Sequence, residues 1–98
     1  MPSSSRTPAQ GASLRLDELA RNAPATVLSV RPPADAEDAE LVLRLAEIGF
    51  VPGEQVRVIA FGFPGREPLA VRIGQSTFAL RLHEAALVQV APTTGGLA

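Results

Sequence analysis

The side chains able to do chemistry are few. His83 is the only histidine and the chain has no cysteine. That removes imidazole pairs, thiolate nucleophiles, iron–sulfur ligation and every Cys-based zinc site together. The stretch His83-Glu84-Ala85-Ala86-Leu87 follows the zinc-protease pattern for four positions, then places Leu where the second His must stand, so His83 reads as a surface residue beginning a turn. Of the ten carboxylates, Asp35, Glu37, Asp38 and Glu40 crowd one stretch, where the positive end of a helix dipole accounts for them; nothing pairs two carboxylates across a cleft for acid–base work. Gly62-Phe63-Pro64-Gly65 and Gly49-Phe50-Val51-Pro52-Gly53 are glycine-containing turns without the GxGxxG or GKS/GKT spacing that cradles phosphate. The inventory predicts a protein that is not an enzyme, with no catalytic residues, no metal site and no cofactor.

Charge narrows the partners. Nine basic residues, all arginine, face ten acidic ones for a net charge of −1, and there is no Trp or Tyr and only four Phe. Nucleic-acid binding needs a basic stripe to displace counterions, or aromatic platforms for bases, and neither is present. No run of about 18 apolar residues occurs, so no membrane insertion is expected, and the lack of cysteine with an apolar-poor N-terminus predicts a cytoplasmic location. What is left is Phe61 and Phe63 flanking Gly62, Arg66 close by, and Arg72 and Arg81 on the outer face of a predicted hairpin. Aromatics and arginines are the side chains that most often anchor interfaces, so these five are the expected partner-binding residues.

The elements that must position them follow from patterning. Residues 1–13 and 93–98 are rich in Ser, Pro, Gly and Thr without apolar period and are expected to be disordered tails around one domain, 14–92. Leu14 and Leu16 open a strand, with Asp17 expected to cap a short turn; Ala25–Val30 is β-branched and apolar. Residues 34–48 read as the one helix, with Leu41, Leu45 and Ile48 on one face and Gly49 beyond its last turn. Pro52-Gly53 fits a type II turn, after which Val56 and Val58 alternate with Arg57 and Ile59. Leu69, Val71 and Ile73 are followed by Gly74-Gln75 and then Phe78 and Leu80. A two-residue loop with Gly first predicts a type II′ hairpin. Pairing Ile73 with Ser76 then puts Leu69, Val71, Ile73, Phe78 and Leu80 on one face. Leu87–Val90 makes a last strand, stopped by Pro92. Five or six short strands, one helix and tight turns predict a mainly β fold, a small SH3-like antiparallel barrel with one α-helix.

With these residues placed, the chain resembles the FeoA family of small proteins of bacterial ferrous iron transport. The resemblance spans Leu16 to Val90 and rests on Leu16-Asp17-Glu18-Leu19, on Leu45-Ala46-Glu47-Ile48-Gly49-Phe50-Val51-Pro52-Gly53, on Phe63-Pro64-Gly65-Arg66-Glu67-Pro68-Leu69, and on Phe78-Ala79-Leu80-Arg81-Leu82-His83-Glu84-Ala85. It departs from the family at Arg21-Asn22-Ala23-Pro24, where a Pro-Gly type turn is usual, and at Glu67, where Asp is common. The resemblance implies an SH3-like barrel and a non-enzymatic accessory role, docking on the cytoplasmic GTP-binding part of a FeoB-type ferrous iron transporter. It leaves two alternatives: the FeoA-like regulatory domain of an iron-dependent repressor, and an RNA-binding SH3-like module.

Overall fold

A computed structural model describes residues 13–93. The expected tails lie outside the described residues except for Ser13 and Thr93. Six strands form one antiparallel sheet in the order β1-β6-β2-β3-β4-β5: β1 Leu14–Arg15, β2 Pro24–Val30, β3 Gln55–Phe61, β4 Leu69–Ile73, β5 Ser76–Leu80 and β6 Val88–Pro92. Helix α1, Ala36–Ile48, is inserted between the neighbouring strands β2 and β3. A 3-10 turn, Leu16–Glu18, follows β1, and a single helical turn α2, Leu82–Ala85, follows β5. These two turns touch each other. The elements behind the two edge strands therefore bridge the gap, and the sheet curls into a small barrel.

The inward residues are those the alternation selects: Ala25, Val27, Val56, Val58, Leu69, Val71, Ile73, Leu80, Val88 and Val90 are buried, joined from the turns and loops by Leu16, Leu19, Phe50 and Ala85. Each buried Val or Leu contributes about 1.5–3 kcal/mol relative to an exposed one. No polar or charged residue is buried among the described residues.

The β4–β5 hairpin has the expected register, with Ile73 opposite Ser76, Val71 opposite Phe78 and Leu69 opposite Leu80. Gly74 takes φ +59° while Gln75 keeps a negative φ, as a II′ loop requires. Gly53 at φ +93° and the bond from Glu54 N to Val51 O close the type II turn.

Three element bounds and one cap differ from expectation. Helix α1 starts at Ala36, because Asp35 leaves the helix to accept a hydrogen bond from Asp38 N at 2.8 Å. Asp35→Ala is expected to cost about 1 kcal/mol, measurable as a lower urea midpoint. Asp17 does not cap its turn. It lies within the turn and accepts two hydrogen bonds from the Arg15 guanidinium at 3.0 and 3.2 Å, while Arg15 N donates to Glu18 Oε1 at 2.8 Å. These bonds, with the charges of Asp17 and Glu18, raise the Arg15 pKa above its usual value. Pro24 joins β2 ahead of Ala25. Finally, β6 begins at Val88, leaving Leu87 outside the strand, and runs on through Pro92 opposite Ala25, with Thr93 N donating to Pro24 O. Proline is tolerated here because it sits at the strand's end.

The 3-10 turn and α2 share one device. Arg15-Leu16-Asp17-Glu18 and Arg81-Leu82-His83-Glu84 each have the Glu carboxylate accepting from the Arg backbone N–H at 2.8 Å. Two Arg-Leu-x-Glu turns thus hold the barrel's seam from both sides.

Candidate functional site

The β3–β4 loop, residues 62–68, carries Phe63 and Arg66 of the expected site, with Phe61 at its entrance and Arg81 beside it. It is tightly fixed although it carries no regular structure. Gly62 N donates to Pro68 O at 2.9 Å across its base. A Cβ at Gly62 would run into the backbone of Glu67 and lie 2.8 Å from Pro68 N, so only glycine allows this approach. Arg66 adopts φ +67°, a left-handed conformation that costs a non-glycine residue about 1 kcal/mol. Two contacts offset that cost. Its guanidinium lies 4.1 Å from the Phe61 ring centroid, a cation–π contact, and its Nη2 donates to Asp17 O at 3.1 Å. Glu67 Oε1 accepts from Leu82 N at 2.8 Å and so ties the loop to the start of α2. Both X-Pro bonds of the loop, Phe63-Pro64 and Glu67-Pro68, are cis.

The five expected residues divide accordingly. Phe61 is half-buried and packs against the core from the end of β3; it helps close the barrel and serves as the platform for Arg66. Phe63, two residues on, is 92 % exposed. Arg81 stands just past β5, where with Glu67 and Pro68 it lines a shallow depression beside the same loop. Arg72 does not join them. It lies opposite Thr77 near the β4–β5 turn, and with about 3.3 Å per residue the four residues from Thr77 to Arg81 put Arg81 about 13 Å away.

One residue escaped the sequence reading. Arg57 sits directly opposite Arg72 across β3 and β4. The register that joins them is interrupted by a bulge between Val58 and Ala60 and closed by a long loop, so no turn rule exposes it in the sequence.

Among the described residues no three His, Asp or Glu side chains come together as a metal-ligand set, and no helix is long and apolar enough to cross a membrane. His83 is exposed on α2.

The curled six-stranded sheet defines the class: a small SH3-like β-domain whose distinctive side chains stand on its outside. The chain belongs to the FeoA family, whose FeoA domain model matches residues 14–92. It is 48 % identical to Stenotrophomonas maltophilia FeoA, described as an SH3 domain protein complexed with zinc and possibly acting as a ferrous iron transport activating factor, over 76 % of this chain and 86 % of that one, with a TM-score of 0.67. It is 30 % identical to iron(II) transport protein A of Clostridium thermocellum, covering 85 % of this chain and 47 % of that one, with a TM-score of 0.69. A third structure, IdeR of T. acidophilum, shares 16 % identity over 84 % of this chain and 35 % of that one with a TM-score of 0.63; that likeness shows the fold alone. No protein with a curated description matches the chain.

Proposed function

We propose that this protein is a non-enzymatic, cytoplasmic accessory factor of bacterial ferrous iron uptake that docks on the cytoplasmic GTP-binding part of a FeoB-type transporter through the β3–β4 loop. Family membership supports the link to iron transport. The observation that carries the docking reading is Phe63. A phenylalanine 92 % exposed at the tip of a loop fixed by Gly62, Arg66 and Glu67 gains nothing for the folded state, whereas an aromatic held in place loses little entropy on binding. Arg66 in the same loop and Arg81 beside Glu67 and Pro68 add positive charge and give the rim its polarity.

Phe63→Ala is expected to weaken binding to the isolated cytoplasmic domain of such a transporter by about 30-fold, the effect of losing a hot spot worth about 2 kcal/mol. Because Phe63 packs against nothing in the core, the melting temperature should stay put. An NMR titration with isotope-labelled chain reads the affinity, and a thermal melt followed by circular dichroism reads the stability. No shift changes with the unaltered protein at high micromolar partner would sink the reading; wild-type affinity in the variant would remove the loop from it.

A further inference from the structure

The outer face of the sheet carries a row of four side-by-side residues, one per strand: Pro24 on β2, Arg57 on β3, Arg72 on β4 and Thr77 on β5. Two arginines thus stand directly opposite each other in its middle. Like charges at such positions repel at Cβ separations of about 5 Å and destabilise a sheet. Among the described residues both ion pairs belong to Arg15, so neither Arg57 nor Arg72 has a carboxylate partner; Glu54 approaches the rim at Gly74 without pairing to either. Arg57 and Arg72 line an open recess of about 190 Å³ together with Pro24, Gln55, Val56 and Gly74.

We infer that Arg57 and Arg72 form a receptor for a carboxylate-rich segment of a partner protein, laid across the outside of the sheet. The repulsion in the free protein becomes attraction once an anion bridges the pair, and two guanidinium forks can each take a carboxylate in bidentate fashion. The shape decides among anions. Sites for free small molecules are enclosed and about 300–1,000 Å³; this recess is smaller and open, and suits side chains delivered on an extended chain. Two arginines on a chain of net charge −1 are too few for nucleic acid or for an anionic membrane, where clusters of about 4–8 basic residues are the rule. The receptor lies about 13 Å along β3 from Phe61 and is separate from the docking loop, so it stands or falls independently of the transporter.

The test uses the full labelled chain and a hexaglutamate peptide at low salt. Shift changes are expected at Val56, Arg57, Arg72 and Gly74, to shrink in high salt and to weaken at least tenfold in Arg57→Gln/Arg72→Gln. Phe63→Ala should leave them unchanged, which separates failure here from failure of the loop. Arg72→Thr should raise the melting temperature by a few degrees as the repulsion is lifted. A lower melting temperature in that variant, no shifts at these residues, or equal shifts from inorganic phosphate, anionic vesicles or duplex DNA at matched charge would each overturn the assignment.

Discussion

Gly62→Ala is expected to remove most of the domain's stability. The new methyl group would be driven into the backbone of Glu67 and Pro68, and backbone cannot rotate away as a flexible side chain can. Overpacking of this kind costs about 3 kcal/mol, against a total on the order of 5 kcal/mol for a domain this small. Relief requires the loop to separate, which breaks the Gly62–Pro68 bond, pulls Glu67 from Leu82 and shifts Arg66 off Phe61. A drop in melting temperature of roughly 15 °C follows. Gly65→Ala provides the control within the same loop: nothing lies within 4 Å of its added Cβ and its φ is not positive, so it should be neutral or slightly stabilising. Equal melting temperatures for the two variants would show that the loop base is not closed as described.

Leu45→Ala should be comparably severe for a different reason. Along α1, Leu45 is the single fully buried residue; Leu41 and Ile48 are half-buried, and Leu43 is 60 % exposed. Leu45 is therefore the helix's deepest anchor in the barrel, with Ile48 packed less deeply beside the core and Phe50 just beyond the Gly49 cap; the N–H groups of Gly49 and Phe50 both donate back to Leu45 O. Truncating it costs about 2–5 kcal/mol. The loss should fall first on helicity, with the far-UV helical signal melting ahead of the sheet. Leu43→Ala on the same helix should change stability by less than about 0.5 kcal/mol. If both variants melted alike, the helix would be held by something other than Leu45.

These expectations show where the sequence speaks and where it is silent. The β4–β5 register was readable because turn chemistry and alternation constrain the same four or five pairs, and a slip by one residue would turn Val71, Ile73 and Leu80 to solvent. The helix was readable from its cap and its apolar spacing. Family motifs tied those pieces to an SH3-like barrel. The site was less legible. Phe61 and Phe63 share a strand parity and looked equivalent, but the strand ends at Phe61, after which parity no longer predicts facing; one ring went to the barrel and the other to solvent. Arg72 and Arg81 shared an outer face on paper, yet the hairpin's length separates them. Arg57 went unnoticed because its partner is fixed only by a long-range pairing that passes through a bulge. Asp17 resembled a cap because Asp often is one, while Arg15 two residues earlier offered its carboxylate a stronger donor.

The pairing of β1 with β6, which sets Leu14 opposite Val90, has a mechanical consequence. The strands run antiparallel, so the first residue of one and the last residues of the other emerge at the same corner of the barrel. Tension applied through the two chain ends would open this seam like a zip, rupturing hydrogen bonds pair by pair instead of loading them in parallel. Tethered between two moving bodies, the domain would yield at low force, beginning with the two residues of β1.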